Sequence, residues 1–159
     1  MTILIVDDHP IVRKGIHALL TSAFADAEVM DASCLKEAEE ACSTRNVNIM
    51  ITDLDLNGES GLTLIRRVRD ILPSLQIVIY TMHEEPWSVC QIADTDTEGV
   101  VMKSDNASEL VKAVKNLNEG KGHYSTTFVR LLNALKLQPC RLSEREQQVI
   151  DLTAKGLST

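Results

Sequence analysis

An α/β fold with a five-stranded parallel sheet is what the sequence predicts, on three observations. Short apolar runs rich in β-branched residues alternate with longer segments whose apolar residues return every three or four positions. The alternation completes five rounds within about the first 120 residues, as βα units around a parallel sheet would. Several of the short runs end on a carboxylate, a hydroxyl or an amine, as strands do when one sheet edge carries the chemistry.

Residues 3–6 read as the first strand, followed by a helix with Val12, Ile16, Leu19 and Ala23 on one face and Pro10 where proline favours a helix start. Residues 28–32 give a second strand and 35–44 a second helix. Residues 49–52 form the third strand, ended by the turn "NGESG". Leu62, Ile65, Val68 and Leu72 line the inner face of a third helix. The fourth strand is 76–80, a helix runs from about 87 to 93, and the fifth strand is 99–102. A helix over 107–118, with Leu110, Val114 and Leu117 in line, closes the unit. Residues 1–120 therefore form one domain, and 121–140 a linker whose helix carries the stripe Phe128, Leu131, Leu132 and Leu135. In 141–159, Ser143 and Glu146 make a capping box, Val149 and Leu152 are apolar, and Gly156 is a C-terminal stop.

A chain of 159 residues buries one good core with an appendage rather than two full domains. Its formal net charge of −7 argues against a broad basic surface for nucleic-acid phosphates. Cys34, Cys42, Cys90 and Cys140 show no CxxC pair and no metal-ligand spacing, so they read as reduced thiols of a cytoplasmic protein. No stretch is long and apolar enough to span a membrane, and the start "MTILIVDDHP" lacks a basic leader. His9 and His17 read as surface residues rather than ligands, having no partner at i+4.

The strand-end residues make a coherent chemical set. The first strand ends in Asp7 and Asp8, the third in Asp53, the fourth in Thr81 and the fifth in Lys103. Three converging carboxylates repel one another unless a cation lies among them, and Mg²⁺ suits a few carboxylates together with a phosphate oxygen. Lys103 and the Thr81 hydroxyl add the positive charge and the donor that a phosphoryl group needs.

These motifs, "LIVDDHP", "ITDLDLNGESG", "IVIYTMH" and "GVVMKSD", resemble those of the response-regulator receiver domain, in order over residues 1–120. "LSEREQQVIDLTAKGLS" resembles the opening of a LuxR-type helix-turn-helix, and the whole resembles a two-component response regulator of the NarL/FixJ type. The resemblance implies a flavodoxin-like (βα)5 receiver fold. It makes Asp53 the phosphoacceptor, Asp7 and Asp8 the Mg²⁺-organising pair, and the backbone carbonyl of Asp55 a further metal contact. Thr81 becomes the switch hydroxyl and Lys103 the partner of the phosphoryl group. It further implies a sensor histidine kinase as donor, slow self-hydrolysis rather than enzymatic turnover, homodimerisation on phosphorylation, and a DNA-binding transcriptional output. Because the chain stops before a recognition helix, the expectation is a truncated helix-turn-helix that binds duplex DNA only in the complete protein.

Three departures from the family pattern carry expectations. Asn57 replaces a frequent proline, with little expected effect on chemistry. "DTDTEG" stands for the usual small residues before the fifth strand. Val100 stands where an aromatic switch residue is common, so transmission is expected through the loop and helix after Thr81. Asp55 and His83 lie two residues past the acceptor and past Thr81, where they either slow donors, orient water, or simply face solvent. The competing function is a Mg²⁺-dependent aspartate-nucleophile phosphatase, for which Asp55 has the acid–base spacing. Against it, such nucleophiles typically end the first strand, not the third.

Overall fold

A computed structural model describes residues 1–136. The elements are β1 (Thr2–Val6), α1 (Pro10–Ala23), β2 (Glu28–Ala32), α2 (Leu35–Thr44), β3 (Ile49–Thr52), β4 (Asp55–Leu56), β5 (Glu59–Ser60) and α3 (Gly61–Ile71). They continue as β6 (Gln76–Thr81), α4 (Pro86–Ala93), β7 (Gly99–Met102), α5 (Ala107–Asn118), β8 (His123–Tyr124) and α6 (Thr126–Lys136). The expectations over 141–159, and for Cys140, lie outside the described residues.

The main sheet is parallel throughout, in the order β2-β1-β3-β6-β7-β8. The inner strands β1, β3, β6 and β7 are buried on both faces, so their runs are almost continuously apolar while successive side chains serve opposite layers; the edge strands β2 and β8 are only partly covered. Ile3 and Ile5 of β1, Ile49 and Ile51 of β3, and Val78 and Val101 pack with α1 and α5. Leu4 and Val6, Met50, Ile77 and Ile79, and Val100 and Met102 pack on the other side, with α2, α3, α4 and α6.

The sheet has six strands, not the expected five. His123 and Tyr124 pair with Gly99 and Val100, and the His123 and Ser125 amides donate to the Glu98 and Val100 carbonyls, each at 2.9 Å. Two residues are too few to show the alternation by which a strand is read in sequence. The helix that follows, α6, sends Phe128 and Leu132 into the same core, with Leu131 and Leu135 packed against it.

Two helix faces also differ from expectation. In α1 the buried residues are Ile16 and Leu20, whereas Leu19 is half-buried and Ala23 exposed, because the contact stripe follows i to i+4 spacing. In α3, Leu64 is fully buried beside Ile65 and Val68, while Leu62 and Leu72 sit at the margin.

Burial of Cys42 in α2, at 4% exposure, pushes its thiol pKa up to about 11. The thiolate is the reactive species, so a maleimide at pH 7.5 is expected to leave Cys42 unlabelled in the folded protein and label it in urea. Peptide mapping of both samples checks this; equal labelling would show that α2 opens readily.

Candidate functional site

The sheet order reverses between β1 and β3, and an open parallel sheet gathers its functional groups at such a switch point, beyond the strand carboxyl ends. Asp7 and Asp8 follow β1, Asp53 follows β3, Thr81 ends β6, and Lys103 follows β7. Asp7, Asp53 and Thr81 are buried, at 2%, 7% and 0% exposure.

Lys103 joins the two buried acids. Its ammonium donates to Asp7 Oδ2 at 2.8 Å and to Asp53 Oδ2 at 2.7 Å. Burial pulls the Lys103 pKa down, but the hydrogen bonds and charges of Asp53 and Asp7 outweigh it and leave the ammonium above its ordinary value. It therefore stays charged at neutral pH. The Lys103 amide donates to the Thr81 carbonyl at 2.7 Å, which sets the two strand ends side by side.

Backbone contacts hold the acids in place. Leu54 N–H donates to Asp53 Oδ1 at 2.7 Å, and His9 N–H to Asp7 Oδ1 at 2.8 Å. Asn57 N–H donates to Asp8 Oδ2 at 3.0 Å. Asn57 and Gly58 both have positive φ, 55° and 86°, as a two-residue hairpin turn between β4 and β5 requires. A proline at 57 would have neither that φ nor that N–H, so this departure from the family pattern reaches the site after all.

Three more contributors escape the sequence reading. Gly61 opens α3 directly against the loop that follows β3, where a Cβ would lie 2.0 Å from the Asp53 carbonyl oxygen. Arg13 donates to the Asp7 carbonyl at 2.6 Å. His9, expected only as a surface residue, is exposed yet brings Nδ1 to 2.9 Å from Asp8 Oδ1 and 3.3 Å from Asp7 Oδ1. Of these, only the glycine after a turn has a sequence signal, since the other two act on backbone or through loop shape.

Whether these residues fit a divalent cation can be judged from their donors. The buried Oδ1 of Asp8 accepts no hydrogen bond, since the His9 imidazole nitrogen approaches it at 2.9 Å without hydrogen-bond geometry. Donor atoms from Asp7, Asp8 and His9 lie within 4.8 Å of one another. An orphaned carboxylate oxygen beside a second carboxylate suits a hard cation that prefers oxygen, as Mg²⁺ does.

Asp55 and His83 do not join this cluster through their side chains. Asp55 is exposed on the hairpin, while His83 donates its N–H to Thr81 Oγ1 at 3.2 Å and sets Nδ1 3.4 Å from Glu85 Oε2. Both line a groove of about 340 Å³ beside the site, with Trp87 and Gln91 of α4. Val100 is buried in the core.

The family model of the response regulator receiver domain matches residues 3–115. The transcriptional regulatory protein RcsB of Escherichia coli (strain K12) is 32% identical over 168 residues, covering 98% of this chain and 75% of RcsB. A solved structure of RcsB from Salmonella enterica serovar Typhimurium, bound to a promoter in the presence of the phosphomimetic BeF3−, aligns with TM-score 0.75 and 31% identity over 98% of this chain and 78% of that one. A two-component response regulator of the LuxR family from Aurantimonas sp. SI85-9A1 aligns with TM-score 0.79 and 28% identity, over 86% of this chain and 98% of that one. With its six-stranded sheet and strand-end acids, the chain belongs to the response regulator receiver domain family and is homologous to the transcriptional regulator RcsB.

Proposed function

We propose that this protein is the phosphoacceptor of a two-component phosphorelay, with Asp53 as the acceptor and transcription as the output. The observation that carries the reading is the Lys103 ammonium held between Asp53 and Asp7 at the mouth of the sheet. In the transfer, an Asp53 carboxylate oxygen attacks the phosphorus of a phosphohistidine on a sensor histidine kinase. The O–P bond forms as the P–N bond breaks, and the departing imidazole nitrogen keeps the electron pair and takes up a proton. Held by Asp7, Asp8, Asp53 and the Asp55 carbonyl, Mg²⁺ would supply charge screening between the donor and the acidic cluster.

The protein's own residues do the rest. Lys103 releases Asp53 Oδ2 and pairs with the new phosphoryl oxygens, and the Thr81 hydroxyl donates to another. The two loops then favour the arrangement that binds the phosphoryl group, a population shift within a pre-existing equilibrium. RcsB bound to a promoter in the presence of a phosphomimetic motivates the transcriptional output, and RcsB dimers bound to DNA motivate a dimer formed on phosphorylation. Asp55 and His83 lie two residues past Asp53 and past Thr81 and line one groove, so they would influence the lifetime of the aspartyl phosphate.

Turnover separates this reading from an aspartate-nucleophile phosphatase. With Mg²⁺ and a chromogenic phosphomonoester, the protein is expected to release no more than about one equivalent of product over an hour. Sustained release abolished by Asp53→Asn would instead make it a phosphatase.

A further inference from the structure

Asp105, two residues past Lys103, holds two elements at once. Its Oδ2 accepts from Met102 N–H at 3.1 Å, and its own N–H donates to the Met102 carbonyl at 3.0 Å, closing the turn that carries Lys103. Its Oδ1 accepts from the Thr127 hydroxyl in the first turn of α6, at 2.5 Å. Between them, Ser104 donates its hydroxyl to Glu84 Oε1 at 2.7 Å, in the loop from β6 to α4. Glu84, Pro86 and Val89 line one wall of a cavity of about 170 Å³ whose opposite wall is Leu131, Ala134 and Leu135 of α6. The sixth helix thus rests its first turn on the Lys103 loop and its last turns against α4 and the end of the loop that leads into it.

We infer that Asp105 is a positioning residue that ties Lys103 to α6, so that an anion on Asp53 loosens the first turn of this helix; the inference rests on the phosphoacceptor reading. The backbone before the turn has no room to yield. Met102 lies in a strand buried at every residue, and the Lys103 amide is fixed to the Thr81 carbonyl at 2.7 Å. The Lys103 ammonium now spans the Asp7 and Asp53 oxygens. A phosphoryl group on Asp53 places anionic oxygens beyond the carboxylate, and the ammonium follows them outward. Ser104 and Asp105 are the part of the turn that moves in response. The Asp105 carboxylate then cannot keep both of its donors; the Met102 amide is fixed in the sheet, so the Thr127 hydroxyl is the one released. Val100 has no ring to rotate, and this route needs none.

The test uses the full chain with Mg²⁺ and beryllofluoride, which mimics a phosphoryl group. Fluorine NMR reads occupancy of the site, and hydrogen exchange reads α6, whose Val129 amide bonds the Ser125 carbonyl in the first turn. In the native protein, bound-fluoride signals should accompany exchange about tenfold faster in that turn, the loss expected for one hydrogen bond to a charged group. Thr127→Val should bind fluoride equally but exchange fast already without it, with no further rise; Thr127→Ser should behave as the native protein. Bound fluoride with unchanged α6 exchange, or a full response in Thr127→Val, overturns the inference alone. Absence of bound fluoride in the native protein overturns the phosphoacceptor reading and this inference with it.

Discussion

Lys103→Met is expected to destabilise the fold by about 3–5 kcal/mol, because it leaves two buried carboxylates facing one another with no cation between them. The side chains of Lys103, Asp7 and Asp53 are 10%, 2% and 9% exposed. Water therefore cannot replace the ammonium. Methionine matches the stem in length, which separates lost charge from lost packing. A thermal melt without divalent cations should show the midpoint lowered by roughly 10–15 °C for a chain of this size. Added Mg²⁺ should recover more stability in the variant than in the native protein, since binding to the folded state alone stabilises it by mass action. A variant as stable as the native protein, or indifferent to Mg²⁺, would mean that the carboxylates do not depend on a cation.

Gly61→Ala is expected to cost about 3 kcal/mol, through a clash that no rotamer change can relieve. The new Cβ would stand 2.0 Å from the Asp53 carbonyl oxygen, 2.9 Å from Leu54 Cα and 3.0 Å from the Asp53 carbonyl carbon, all backbone atoms. The Gly61 amide also donates to the Leu54 carbonyl at 2.8 Å, so α3 and the Asp53–Leu54 backbone must shift together. Since Leu54 N–H positions Asp53 Oδ1, the same displacement should weaken phosphoryl acceptance as well as stability. Gly58→Ala is a useful contrast. Its φ of 86° is strained for alanine, yet nothing lies within 4 Å of the added atom. Urea unfolding of both should show the larger loss for Gly61→Ala; the reverse order would contradict the close approach.

Apolar, β-branched runs made β1, β3, β6 and β7 readable to within a residue or two, because a strand buried on both faces leaves a continuous apolar segment, whereas β2, exposed at the edge, is only weakly marked. The pairs Asp55–Leu56, Glu59–Ser60 and His123–Tyr124 are too short to carry any period. The Asn57–Gly58 dipeptide does carry a hairpin signal, and it marks the β4–β5 turn. At the site, Asp7, Asp53 and Lys103 were legible because each ends a strand and all share an edge. Arg13, His9 and the Asn57 amide were not, because they act on backbone, through backbone groups or through loop shape that depends on how the loops fold; Gly61 carried only the signal of a glycine after a turn. The Asp105–Thr127 contact joins residues 22 positions apart, one in a loop and one in the helix that follows the last strand. No local pattern announces such a pair.

Intact-mass spectrometry of the protein incubated with Mg²⁺ and acetyl phosphate, beside an Asp53→Ala variant, tests the acceptor assignment most directly. A single phosphoryl adduct that needs Mg²⁺, is lost at alkaline pH and is missing from the variant is the expected result. No adduct in a folded protein, or an equal adduct on Asp53→Ala, would contradict Asp53 as the acceptor.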